Sequence, residues 1–522
     1  MNSEVTSVRP TADLDALRTV AAETSSSASL SVEAPFTGES LGTVPAATAE
    51  DVVDAAGRAR EAQSEWAAQP FEERAAVFSR FHDRLLARRE ELLELMQAES
   101  GKSKRDAFVE LLDVALTAQY YSTQGDDHLQ RERRSSVFPL LSKVTVNYRP
   151  VGVVGLITPW NYPLTLSISD AIPALLAGNA VVLKPDEGTP FTALYAAHLL
   201  VDCGLPSDLL QVVTGRGDEL GESLVASVDF VGFTGSVDVG RIVGSLAGEH
   251  LVDCSLELGG KNPGVVLDDA DVDAAAADAV VGCFSNAGQL CLSTERLYVH
   301  TDVYDAFLDA FVARTRALSV GAAFGDDVEV GSLVSADQLE KTTEHVEDAV
   351  QKGATVLSGG RPRPDRGPYV YEPTVLTDVT PEMTLFRSET FGPVVSVYRV
   401  EDEDEAVERA NDSDRGLNGS VWTGEEARGE AVAERIECGT VNVNDAYATA
   451  WSSVDAPMGG MKESGVGRRH GPEGIRKYTE SQTVAVDRGA PTMPPDSIPD
   501  AWWQRGMVAL LGAQKRVVEW LR

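Results

Sequence analysis

Paired cysteines are missing from this sequence: its five (Cys203, Cys254, Cys283, Cys291 and Cys438) are odd in number, widely spaced and form no C-x-x-C pair. That spacing argues against a disulfide framework and against a zinc or other metal centre. Long apolar runs are missing as well, which argues against a membrane-spanning helix. The first residues lack the cationic, apolar, small-residue succession of a secretory leader, so a cytoplasmic protein is expected. Positive charge is scarce: 45 Lys and Arg, only ten of them Lys, face 81 Asp and Glu, for a formal net charge of -36. Phosphate would be repelled, which makes nucleic acid an unexpected partner. Acidic clusters such as Glu401 to Glu405 read as solvated faces, and such a surface suits a salt-rich cytoplasm that screens the repulsion. The expectation is a halophilic protein. No internal repeat is evident.

What is present is enough chain for two or three domains, at 522 residues and 55.8 kDa. Helical spacing of apolar residues runs from about Ala47 to Gly101, with one helix opening near Asp51 and another covering Arg74 to Glu99. From Gly152 the pattern becomes strand, turn, helix, strand: VGVVGLITP, a helix over Leu166 to Leu176, NAVVLKP, and a helix over Pro190 to Cys203. Short strands at Leu210 to Val213 and Phe230 to Phe233 continue the alternation, which predicts a doubly wound parallel sheet with ligands at its carboxyl edge. After Leu256 the cycle restarts as a second α/β unit, with an Ala-rich helix to Cys283 and a strand over Arg296 to His300. Near the end, a Pro-rich linker precedes a basic amphipathic helix with Met507, Leu510, Leu511, Val518 and Leu521 on one face.

Two near-motifs are decoys. Gly101-Lys102-Ser103 has Met96 where a P-loop needs glycine, and reads as a helix end. Gly215, Gly217 and Gly221 are spaced one residue too long for a dinucleotide fingerprint. The informative segments are TPWNYP (Thr158 to Pro163), FTGS (Phe233 to Ser236), LELGGK (Leu256 to Lys261) and FSNAGQLC (Phe284 to Cys291), with KPDEGTP (Lys184 to Pro190) and ETFGPV (Glu389 to Val394) in order around them. An N-A-G-Q turn before Cys291 brings backbone donors that would favour a thiolate. Glu257, between Leu256 and Leu258, is placed for a pKa raised by burial.

Together these segments resemble the aldehyde dehydrogenase superfamily from about Val32 to Val486, and Pro457 to Thr483 is similar to its actinobacterial and archaeal succinate semialdehyde dehydrogenases. The resemblance implies that Cys291 attacks the aldehyde carbon, since a planar carbonyl must become tetrahedral before it can release hydride. It implies an oxyanion hole from the Asn161 amide and the Cys291 backbone N–H, and Glu257 as the base for thioester hydrolysis. It puts Lys184 and Glu187 on the adenosine ribose, Gly235 and Ser236 at the pyrophosphate, Trp160 and Leu258 near the nicotinamide, and Glu389 with Phe391 on its ribose. Glu187 would repel a 2′-phosphate, so NAD is expected over NADP.

The fold implied is α/β: a Rossmann-like NAD-binding domain (31–130 and 149–256), a catalytic domain (257–440), and a small β bridging element (131–148 and 441–486) that makes dimers or tetramers. Residues 1–30 would be a mobile tail, and 487–522 the linker and C-terminal helix. The substrate implied is succinate semialdehyde, giving succinate, with Tyr162, Trp451 and Ser453 lining the aldehyde pocket. Against that, positions where semialdehyde enzymes carry arginines hold Ser169 and Ser285, and Arg468, Arg469 and His470 read either as a substitute anchor or as a subunit-contact or cofactor-side cluster. Other aliphatic or aromatic aldehydes are the alternative. A Cys291-Glu257-Lys261 hydrolase is a distant one.

Overall fold

A computed structural model describes residues 9–136, 138, 141–489, 493–494 and 496–521. The chain divides into two compact units: Met1–His128 with Pro150–Glu480, and Leu129–Arg149 with Ser481–Arg522.

The larger unit holds two main sheets. One is six-stranded, in the order Gly465–Val466, Asp253–Leu258, Phe230–Gly235, Val153–Ile157, Ala180–Lys184, Leu210–Val212. All of its neighbours are parallel except the short Gly465–Val466 edge. Its inner strands bury both faces, which is why the sequence shows unbroken Val and Leu runs instead of alternation. The other sheet is seven-stranded, in the order Thr355–Ser358, Thr374–Thr377, Val394–Val400, Thr294–His300, Asn262–Val266, Asn418–Trp422, Thr440–Val443.

Helices cover these sheets. Ala49–Ala67 starts on a capping box, in which the Thr48 hydroxyl accepts from the Asp51 N–H and the Asp51 carboxylate accepts from the Thr48 N–H. Pro163–Leu176 is buried all round and opens on Pro163, whose missing N–H costs nothing at a first turn. Among the described residues no helix is long and apolar enough to cross a membrane.

Three expectations change. The helix expected over 74–99 is two, Phe71–Ala87 and Arg89–Ser100, broken at Arg88. Residues 1–30 are not a free tail throughout: the helix Leu14–Arg18 buries Leu17, the Ala22 N–H bonds the Val212 carbonyl, and Asp51 accepts from Thr24 and Ser25. The segment 441–486 divides at Glu480, its larger part lying in the first unit. The second unit has a three-stranded sheet, with Ser142–Pro150 between Thr479–Asp487 and Glu132–Arg134, and the helix Asp500–Leu521. On that helix Met507 and Leu510 are half-buried and Leu511 exposed, while the side chains of Val518 and Leu521 lie outside the described residues.

Candidate active site

The carboxyl ends of the six-stranded sheet open on a cavity of about 240 Å³. Asn161, Glu257, Leu258 and Cys291 line it, as do Trp160, Gly235, Ser236, Glu389 and Phe391.

Cys291 follows an unusual turn, in which Asn286 (φ +52°), Ala287 (φ +54°) and Gly288 (φ +71°) are all left-handed. For the two non-glycine residues that conformation costs about 1–2 kcal/mol each, so neighbours must hold it. The Asn286 side-chain amide donates to the carbonyls of Asn161 (3.0 Å) and Gln289 (3.1 Å). The Gln289 side chain donates to the Asn286 carbonyl and accepts from the Val334 N–H. Asn161 donates one amide N–H to the Gln289 carbonyl at 3.0 Å, which orients the group and leaves its second N–H for a ligand. Asn262 donates to the Cys291 carbonyl at 2.7 Å.

Glu257 is the penultimate residue of the strand Asp253–Leu258, and its buried Oε1 has no hydrogen-bond partner among the described residues. Burial pushes its carboxyl up to about 7, against the pull of Lys477 and Arg469. Lys261 is not its partner: that ammonium pairs with Glu295, whose carboxylate also accepts from the Thr390 and Phe391 N–H groups. With Lys261 engaged there, a Cys-Glu-Lys hydrolase loses its third member. The expectation of a favoured thiolate is corrected, because burial first and Glu389 second push the Cys291 thiol up to about 12, outweighing Arg469 and the backbone donor.

The remaining wall fits a nicotinamide dinucleotide. Ser236 caps the helix Val237–His250, accepting from the Val239 N–H, so the helix's positive end faces the cavity. Trp160 and Phe391 meet edge to face at 5.5 Å beside Leu258, an apolar surface for a flat ring. Glu389, pushed up to about 7 by burial and by Glu295, accepts from the Gly260 N–H at 3.0 Å and keeps acceptor capacity for ribose hydroxyls. The glycine pair in LELGGK follows from this crowding. A Cβ at Gly259 would sit 2.1 Å from Glu389 Oε2, and one at Gly260 would sit 2.8 Å from the Cys291 carbonyl. Lys184 and Glu187 stand off the cavity as a pair, Nζ to Oε2 at 3.0 Å.

The sequence matches the Aldehyde dehydrogenase family model over residues 22–484. It is 50% identical over 486 residues to a protein of Mycolicibacterium smegmatis that carries the provisional name succinate-semialdehyde dehydrogenase, NADP(+), covering 93% of this chain and 94% of that one. It is 37% identical to the mitochondrial succinate-semialdehyde dehydrogenase of Arabidopsis thaliana, covering 88% and 86%. The betaine aldehyde dehydrogenase of Staphylococcus aureus, solved with NAD+, superposes with a TM-score of 0.86 at 32% identity over 91% of this chain and 95% of that one. The chain belongs to the aldehyde dehydrogenase family. It is an NAD(P)-dependent enzyme that oxidises an aldehyde to its carboxylate.

In this aldehyde dehydrogenase the expected pocket residues are not all on the cavity. The Ser453 hydroxyl donates to the Thr449 carbonyl at 2.7 Å and closes a helical turn in an exposed position, off the cavity wall. Trp451 is half-buried in the same short helix, Ala448–Ser452, off the cavity wall. Tyr162 is buried behind the wall, its hydroxyl without a partner among the described residues. Ser169 donates to Asp113 at 2.5 Å, and Ser285 donates to the Val281 carbonyl while accepting from Tyr447. Of the three candidate anchors only Arg469 lines the cavity, its Nε on Asp170 at 3.2 Å. Arg468 donates to the Gly460 and Gly467 carbonyls, and the buried His470 is pushed down to about 3.

Gln338 and Lys341 on the wall, and the buried Lys102, carry no motif that singles them out for this site in the sequence. Gly101 does end the helix Arg89–Ser100, as expected, yet Lys102 beside it is fully buried and donates to the Asn161 carbonyl at 2.8 Å. A lysine without exposure is the signal that composition alone does not carry.

Proposed function

We propose that this enzyme oxidises succinate semialdehyde to succinate, and that Cys291, Glu257 and Asn161 do the chemistry. What carries the substrate reading is Arg469, a buried guanidinium on the wall of the cavity that also holds Cys291. Asp170 holds its Nε, and Arg469 together with Lys341 puts cationic side chains on the cavity wall, which suits an anionic aldehyde on a chain with a net charge of -36. The name of the Mycolicibacterium relative supports the same reading.

Cys291 Sγ bonds to the aldehyde carbon as its thiol proton leaves, and the carbonyl oxygen gains charge that the second Asn161 N–H and the Cys291 backbone N–H meet. Because burial keeps the resting Cys291 protonated, a base must take that proton, and Glu257 stands on the same cavity. A bound nicotinamide would supply the acceptor for the hydride that leaves the tetrahedral carbon as the Cys291 adduct becomes a thioester. Glu257 first gives the thiol proton up to solvent and then removes one from water as the water oxygen bonds to the acyl carbon; the C–S bond breaks with this proton passing to sulfur, which releases the thiol and an acid that ionises to carboxylate.

The six-stranded sheet serves as the nucleotide part, with Trp160, Gly235, Ser236, Leu258, Glu389 and Phe391 contacting the cofactor, and the seven-stranded sheet serves as the catalytic part. Glu187 on Lys184 supports NAD, since its carboxylate accepts from free ribose hydroxyls and repels a 2′-phosphate. The name of the Mycolicibacterium relative, which carries NADP(+), points the other way. The strand Thr479–Asp487, exposed along almost its whole length, supports a homodimer or homotetramer joined through the second unit. The acidic surplus supports a salt-rich cytoplasm.

Ser169 and Ser285, both spent on other groups, favour the second reading, an uncharged aldehyde. The deciding experiment measures kcat/KM for succinate semialdehyde, glutarate semialdehyde and neutral aliphatic and aromatic aldehydes, with NAD+ and with NADP+, at high salt. The semialdehydes and NAD+ are expected to lead. Arg469→Met should then cost succinate semialdehyde at least about tenfold more than a neutral aldehyde. A preference for neutral aldehydes discards the substrate, and a preference for NADP+ discards the reading of Glu187.

A further inference from the structure

Behind the cavity wall lies a buried charge pair that the mechanism does not use. Lys102 and Glu110 are both fully buried and pair with each other. Taking two ions out of water costs several kcal/mol each, and their attraction does not reliably return it, so such a pair is poor evidence for stability and calls for another explanation.

Their remaining bonds supply one. The Lys102 ammonium donates to the Asn161 backbone carbonyl at 2.8 Å and lies 4.3 Å from the centre of the Tyr162 ring. Glu110 accepts from the N–H groups of Leu164 (2.8 Å) and Thr165 (3.1 Å), the open first turn of the helix Pro163–Leu176. The pair thus holds the stretch from Asn161 to Thr165 from one side. From the other side, Asn286 donates to the same Asn161 carbonyl. The peptide that carries Asn161 is therefore tied both to the helix Lys104–Leu129, which holds Glu110, and to the turn that leads to Cys291.

We infer that Lys102, charge-balanced by Glu110, is a positioning residue for acylation: it fixes the Asn161 backbone so that the amide's free N–H aims at the oxygen of the adduct. The inference rests on the reading of Asn161 as the oxyanion donor. Displacement of such a donor by about 1 Å costs on the order of 100-fold in rate.

The test uses the full-length enzyme at high salt. Lys102→Met removes the cation but strands Glu110 in the interior, so the decisive variant is Lys102→Met/Glu110→Gln, which removes both charges at nearly constant volume. It is expected to melt near the wild-type temperature, to hold KM for the nucleotide within about twofold, and to lower kcat about 10- to 100-fold, with acylation made slow so that no pre-steady-state burst of reduced nucleotide appears. In an Asn161→Ala enzyme, already slowed, the same two changes should cost less than about threefold more, because there is no donor left to aim. A double variant that melts normally and keeps its kcat overturns the inference, and so does one that fails to fold, which makes the pair a folding element. Full additivity with Asn161→Ala overturns it as well. If Asn161→Ala itself leaves kcat unchanged, the oxyanion reading fails and takes this inference with it.

Discussion

Glu257 has two properties that a general base needs, a buried carboxyl with an oxygen that has no partner among the described residues and a pKa pushed up by burial to about 7. The working form is the carboxylate. Below about pH 7 a growing fraction carries the proton, so kcat should rise with pH through about 7 and level off above it. Well below that point, deacylation should fall toward about tenfold per pH unit. Glu257→Gln removes the base from both steps: stopped-flow mixing with aldehyde and NAD+ should show neither a burst of reduced nucleotide nor sustained turnover. Sustained turnover by that variant, or an acid limb centred near the ordinary glutamate range, would remove Glu257 from the role. This carboxylate was legible because its setting is local, an acid between Leu256 and Leu258 in a strand. Cys291 was harder to judge. Its backbone donors are local, but the burial and the Glu389 carboxylate that outweigh them come from segments far along the chain.

The turn from Asn286 to Gly288 is the element on which that nucleophile depends, and it leaves one position no room. A Cβ on Gly288 would lie 2.1 Å from the Gly392 carbonyl oxygen, on a backbone at φ +71°. Gly288→Ala must therefore push the turn away from the segment that follows Phe391, moving Cys291 and Phe391 together. We expect kcat/KM to fall more than about 100-fold, with a lower melting temperature. Ala287→Gly, which relaxes the neighbouring residue at φ +54°, should keep most activity. Gly288→Ala at wild-type rate would show that the turn tolerates displacement. At this scale the buried strands were easy to read, since Val153–Ile157 and Ala180–Lys184 are continuous apolar runs. The break at Arg88 was not, because no Gly or Pro marks it and apolar spacing carries on through it. Nor was Lys102: its partner Asn161 is 59 residues away, and no local period encodes a contact of that kind. The Ser-rich start misled for the same reason, since Asp51 and Val212 lie far from the residues they hold.

For the whole molecule the governing quantity is charge. With 81 acids and 45 cations, pairing every Lys and Arg still leaves acids in excess, as the net charge of -36 records. Salt acts on this surface in two opposed ways. It weakens exposed ion pairs such as Arg387–Asp412 and Arg399–Asp305, which lowers stability, and it screens repulsion among the unpaired carboxylates, which raises it. Exposed pairs are worth about 0–1 kcal/mol each, whereas repulsion sums over every neighbouring acid, so screening should win. The Debye length shrinks from about 10 Å at 0.1 M to about 3 Å at 1 M, which confines each carboxylate's field to its nearest neighbours. The melting temperature should therefore climb between about 0.1 and 1 M KCl, over which the Debye length falls about threefold. An uncharged osmolyte at equal osmolality separates screening from general exclusion at the protein surface, and should recover only part of the gain. A melting temperature that is flat or falling with KCl would mean that the acidic surplus is carried without strain, and would remove the basis for placing this enzyme in a salt-rich cytoplasm.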